Sequence, residues 1–113
     1  MFRRNNIDRL EIHTLPSSDP VVCELALSDP LTNGGMFWWQ RDRPGETTRR
    51  HHANLTPFGV CLQYALTLLD SVKTYSFNGN TLYIEFSAPT PLHLLENYVG
   101  RASGRKYYAL FGA

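Results

Sequence analysis

The stretch KTYSFNGNTLYIEFS, residues 73 to 87, places Asn78-Gly79 between two runs that alternate apolar and polar side chains. Asn-Gly accepts the positive φ angles of a two-residue type I′ turn, so the stretch is expected to fold as a β-hairpin. Its register would set Phe77 opposite Asn80, Tyr75 opposite Leu82 and Lys73 opposite Ile84. Tyr75, Phe77, Leu82, Ile84 and Phe86 then share one face, and Thr74, Ser76, Thr81, Tyr83 and Glu85 the other. A strand pair sorted this way has one face on a core and one in water, so the fold is read as a sheet covered on one side.

The flanking segments supply the cover. Before the hairpin, NLTPFGVCLQYALTLLDSV (residues 54 to 72) offers Asn54 or Thr56 as an N-cap and Pro57 in the first turn. Its stripe of Phe58, Cys61, Leu62, Ala65, Leu68, Leu69 and Val72 is widened by Val60, Tyr64 and Leu66 until little polar surface remains. A helix this apolar is expected to be covered twice, by its sheet and by either the N-terminal strands or a second protomer. After the hairpin, Thr90 and Pro91 open a second helix with Leu92, Leu95, Tyr98 and Val99 buried, ended by Gly100 or Gly104. RKYYALF, residues 105 to 111, reads as a closing strand.

Upstream, IDRLEIHT opposes Leu10 and Ile12 to Arg9, Glu11 and His13, and VVCELALS opposes Cys23, Leu25 and Leu27 to Glu24. MFWWQ, residues 36 to 40, is a third short strand. From that strand onward the order is β-α-β-β-α-β. The fold class expected is therefore α+β, an antiparallel sheet with two helices on one face, a ferredoxin-like βαββαβ core preceded by an N-terminal β-hairpin.

The 113 residues fit a single domain, 1 to 113, and a composition 42% hydrophobic and 19% charged is that of a globular chain rather than a disordered one. A net charge of +1 excludes a strongly basic or acidic protein as a whole. What is basic is local. The loop of residues 41 to 53, between the third strand and the first helix, holds Arg41, Arg43, Arg49 and Arg50 with His51 and His52, beside Trp38 and Trp39. Guanidinium groups grip phosphate and aromatic rings stack on bases, so an RNA or single-stranded DNA contact is one reading of the loop. A protein-facing or solvated connector is the other. In a strand the two tryptophans face opposite ways, which puts one of them in the core.

Ferredoxin-like sheets include the RNA recognition motif, and GNTLYIEF (residues 79 to 86) resembles that family's third-strand signature in part. Tyr83 falls where an exposed stacking aromatic belongs, but Gly79 replaces the basic residue and Thr81 stands where a second aromatic should. The chain is not assigned to that family; what remains is Tyr83 on a solvent-facing sheet surface. Residues 41 to 50 also lie where small ferredoxin-like enzymes such as acylphosphatases bind an anion, yet no glycine-rich nest and no nucleophile–base pattern accompanies them. Adjacent histidines do not converge on one ion, and His13 and His93 stand apart on polar faces, so neither a metal nor a cofactor is expected. Cys23 and Cys61 are expected as free core thiols. Without an apolar leader or a membrane-length apolar run, the protein is expected to be soluble and cytoplasmic.

The function expected is that of a small non-enzymatic binding or regulatory protein, acting through a protein partner or as a homodimer, with nucleic-acid binding as the alternative and a small enzyme third. The contact residues expected are Trp38, Trp39, Arg41, Arg43, Arg49, Arg50, His51 and His52, with Tyr83. Edge strands at the N-terminus or at residues 107 to 111 are expected to be free to pair across a two-fold axis.

Overall fold

The computed structural model describes residues 9–15, 17–43, 52–104 and 106–111. The strands are β1 (Arg9–Leu15), β2 (Val22–Leu27), β3 (Met36–Gln40), β4 (Val72–Asn78), β5 (Thr81–Phe86) and β6 (Lys106–Phe111), with helices α1 (Pro57–Thr67) and α2 (Leu92–Ser103). The fold is α+β. Five strands are antiparallel in the order β3-β4-β5-β2-β1, and β6 lies parallel to β1 at its outer side.

The β4–β5 hairpin forms, and its core face is the expected one: Tyr75, Phe77, Leu82, Ile84 and Phe86 are all buried. Its register differs. Tyr75 stands opposite Ile84 and Phe77 opposite Leu82, so the turn residues are Gly79-Asn80 rather than Asn78-Gly79. Gly79 alone takes the positive φ, +60°, which matches a II′ turn with glycine first. The reason is tertiary. Gly79 N donates to Thr32 Oγ1 at 2.8 Å, Gly79 O accepts from Leu31 N at 2.7 Å, and Asn80 Nδ2 donates to Leu27 O at 2.7 Å. The turn moves by one residue and the cross-strand pairing by two, so every side chain keeps its face.

The ferredoxin-like order is not adopted. That order would set β3 and β5 side by side in the centre, whereas β3 is an edge strand paired antiparallel with β4, and the β1–β2 pair lies between β5 and β6. The cause lies in the connection after β3. Gln40 ends β3 opposite Thr74, at one end of the sheet, but Thr56 N donates to Leu31 O beside the Gly79 turn, at the other end. The chain has thus returned before α1 begins, and the helix carries it back to where β3 ended. The next strand must then run antiparallel beside β3. The N-terminal strands are interior, which corrects the expectation of a free edge there; the edges are β3 and β6.

Both helices bury residues in one core with the sheet, Leu62 and Leu66 from α1 and Leu95 and Val99 from α2. Thr56 caps α1, its Oγ1 accepting from Gly59 N at 3.0 Å, and Pro57 follows. The buried face of α1 is Gly59, Leu62 and Leu66, a rotation from the expected stripe. Gly59 sets that rotation: a Cβ there would run into Leu31 O, so the glycine side is the one that can dock. The helix also stops at Thr67, leaving Leu68 as its C-cap and Val72 to start β4. α2 ends on Gly104 in the left-handed conformation, φ +69°.

Candidate interaction surfaces

Arg41 is half-buried, and its guanidinium is directed at main-chain oxygens: Nε donates to Val72 O at 2.8 Å, and Nη2 donates to Thr67 O at 3.1 Å and Leu69 O at 2.7 Å. Thr67 O is at the end of α1, where a helix leaves carbonyls without partners and its dipole is negative, Leu69 O lies in the link and Val72 O at the start of β4. The same guanidinium lies 4.8 Å from the centroid of the Trp39 ring. Arg43 is exposed, and the His52 ring meets Phe37 edge-on at 5.1 Å. Arg49, Arg50 and His51 lie outside the described residues.

The two tryptophans separate by strand parity. Trp39 is in the core, stacked on Tyr75 at 5.4 Å, and is thereby withdrawn from the expected contact. Tyr75 in turn donates from its hydroxyl to Gln63 O at 3.3 Å and shares a hydrogen bond with Thr67 Oγ1 at 3.1 Å. Burial pushes its phenol up to about 12, against weaker pulls downward from the Thr67 hydrogen bond and the Arg41 charge. Trp38 is half-buried on the open sheet face. One rung of that face runs Trp38, Ser76, Tyr83, Glu24, so Trp38 and Tyr83 flank a serine two strands apart. Around that rung stand two acids and one lysine. Glu24 is the rung neighbour of Tyr83, Glu85 lies two residues on, and Lys73 sits 3.9 Å from the Glu85 carboxylate.

The outward side of the helical layer is different in kind. No residue from Pro57 to Thr67 is charged. On the exposed side of α1 stand Val60, Cys61, Tyr64 and Leu68, at helical spacing, with Tyr64 65% and Leu68 80% exposed. Leu94 and Tyr98 of α2 are exposed as well. Between α1's end and α2 lies a groove of about 190 Å³ walled by Leu69, Phe86, Leu94, Leu95 and Tyr98, with Ser71 and Thr90 at its polar margin. A second cleft, of about 270 Å³, is lined by Arg41, Asp42, Asp70, Val72, Lys73 and Ser87. Because β1 and β2 belong to the sheet, they do not provide the second cover expected for α1.

Two further placements correct the sequence reading. Cys61 is exposed rather than a core thiol, and Cys23 is half-buried against the core, where burial raises its pKa. Glu96 of α2, unremarked in the sequence, is 5% exposed beneath the helix. Burial raises its pKa, with Thr14 and His93 offsetting part of the effect. The Thr14 hydroxyl is near enough to ease the charge, yet neither its Oγ1 nor Glu96 Oε2 meets a partner in hydrogen-bond geometry. Among the described residues no three His, Cys, Asp or Glu side chains converge as a metal ion requires, and no helix is long and apolar enough to cross a membrane. Sequence reasoning counted Leu68 and Tyr98 in buried stripes and did not single out Leu94, whereas the structure leaves Tyr64, Leu68, Leu94 and Tyr98 exposed; the lack of any charge across residues 57 to 67 is the sequence signal for the α1 part of that surface. No protein-family model, curated protein sequence or solved structure matches this chain.

Proposed function

We propose that this chain is a non-enzymatic binding module that works by protein–protein contact through the outward side of its helical layer. The observation that carries the reading is the exposed stripe of Val60, Tyr64 and Leu68 on a helix without a charged residue. Exposed apolar residues scattered singly need no explanation, but a contiguous uncharged stripe with an aromatic at its centre has the make-up of an interface core. Among the described residues the groups whose pKa is displaced, Cys23, Tyr75 and Glu96, lie on three different elements, and none of them lines either cleft, which favours binding over catalysis. The test is a photo-crosslinking amino acid placed at Tyr64 or, separately, at Tyr83 in producing cells. A protein adduct at Tyr64 and none at Tyr83 is expected; the reverse would move the contact to the open sheet face.

A second reading is kept because Trp38 and Tyr83 share the open face. They would offer two stacking rings to a single strand of RNA or DNA, with Arg43 as a nearby cation in sequence. The acids Glu24 and Glu85 beside Tyr83 oppose a phosphate backbone, which is why this reading comes second. Tryptophan quenching by an oligonucleotide, lost on raising salt from about 50 to about 200 mM, would promote it.

A further inference from the structure

Resting on the helical-face reading, we infer that the partner is a second copy of this chain, and that Leu68 of each copy fills the groove under Tyr98 of the other. Three observations carry this. The first is that a knob and a hole lie side by side on one surface. Leu68 protrudes at the end of α1, and the next residue, Leu69, is already a wall of the groove formed with Phe86, Leu94, Leu95 and Tyr98. A two-fold axis passing between knob and hole exchanges them, so one contact is made twice, which is the pattern of an isologous dimer. An apolar cavity of about 150 Å³ accepts a benzene-sized group. The groove, at about 190 Å³, therefore has room for a leucine side chain.

Charge is the second observation. A second copy brings an identical surface, so like charges at the centre would repel at a cost of several kcal/mol. The α1 stripe has none to repel. Its margins carry charges of both signs: Asp70 follows the knob, in the cleft it shares with Arg41, Asp42 and Lys73, and Arg101 lies beyond Tyr98 on the groove side. The exchange that seats Leu68 brings Asp70 toward Arg101 of the other copy, and does so at both ends.

The third is area. With 150–250 Å² as the surface of a large side chain, Val60, Tyr64, Leu68, Leu94 and Tyr98 together expose roughly 500 Å². That is more than half of the ~800 Å² each partner contributes to a standard interface, before the polar margin is counted.

The experiment has two parts. Mass by light scattering, from roughly 1 µM to 1 mM, is measured for the full chain and for Leu68→Glu, which alters a residue 80% exposed and so leaves the fold intact. In the second part, chains carrying Leu68→Cys or Thr90→Cys, each with Cys61→Ser, are mixed and oxidised with glutathione disulfide, the Cys61→Ser parent serving as control. A dimer whose Kd rises about thirtyfold or more in Leu68→Glu, together with a disulfide joining position 68 of one chain to position 90 of the other, is the expected result. A dimer that depends on Leu68 but gives no such disulfide overturns the knob-and-groove arrangement while leaving the helical face as the contact. A chain monomeric throughout overturns the second copy as partner, and a Tyr64 adduct to a different protein would then show the helical-face reading standing without it. A dimer unchanged by Leu68→Glu overturns this proposal, and the helical-face reading falls with it if Tyr64 also gives no adduct.

Discussion

Arg41 illustrates what a sequence conceals at the scale of one residue. Its neighbours Arg43, Arg49 and Arg50 make it look like part of an anion grip, yet its hydrogen bonds go to carbonyls more than twenty residues further along the chain. No local spacing encodes those partners, because they exist only once β3 and the α1–β4 link are adjacent. Arg41→Gln is expected to lower stability by about 2 kcal/mol, the range for hydrogen bonds made by a charged group, without changing the partner affinity of the folded protein; urea unfolding and light scattering on the same samples check both halves. Glu96 is the converse case, a charged residue that helical periodicity alone would place on either face. Its folded pKa stands above the ordinary 4.5, so the folded state holds a proton that the unfolded state gives up sooner. The stability it contributes is complete below about 4.5 and is lost as pH rises through the raised value. Glu96→Gln should therefore be more stable than the parent at pH 7, with the difference closing at pH 4 in thermal melts; a difference that widened on acidification would reverse the sign.

At the scale of an element, α1 was legible as a helix and not as an oriented one. Thr56, Pro57 and the apolar run announce its start, but Phe58, Cys61 and Leu68 form as good a stripe on paper as Gly59, Leu62 and Leu66. Choosing between them depends on Leu31, which lies far off in sequence and approaches so closely that only a glycine fits. This makes a sharp test, because alanine ordinarily improves a helix by about 1 kcal/mol over glycine. Gly59→Ala should instead destabilise by about 1–3 kcal/mol, since the added Cβ meets a backbone oxygen that itself accepts from Thr56 N and cannot swing aside. Val60→Ala, one residue on and exposed in the single chain, should be close to neutral in the same urea titration run at protein concentrations too low for self-association. The hairpin was read better because its information is local: alternation fixes the faces, and Asn-Gly-Asn leaves open only a move of the turn by one residue. Thr32 and Leu27 decided that move, and neither is part of the hairpin.

The whole molecule was legible in its layers and not in its strand order. One-sided strands and two apolar helices require a sheet with helices over one face, whichever strands are neighbours. The order turned on where the chain stands when α1 begins, and residues 41 to 56 carry no pattern that states it. With the order known, the distribution of charge acquires meaning. The open sheet face carries Glu24 and Glu85, while the outward helical face is uncharged at its centre, so a net charge of +1 conceals two unlike surfaces. An association made by the helical face draws its strength from apolar area, which salt screens very little, with only the Asp70 and Arg101 margins contributing a screened part. The Kd for self-association is therefore expected to change by less than about tenfold between 50 and 500 mM salt, the two exposed margin pairs together being worth roughly 1 kcal/mol in water. Sedimentation equilibrium at the two salts measures this directly. A Kd that rose by orders of magnitude would mean that charges hold the copies together, and the uncharged helical face would then not be the contact.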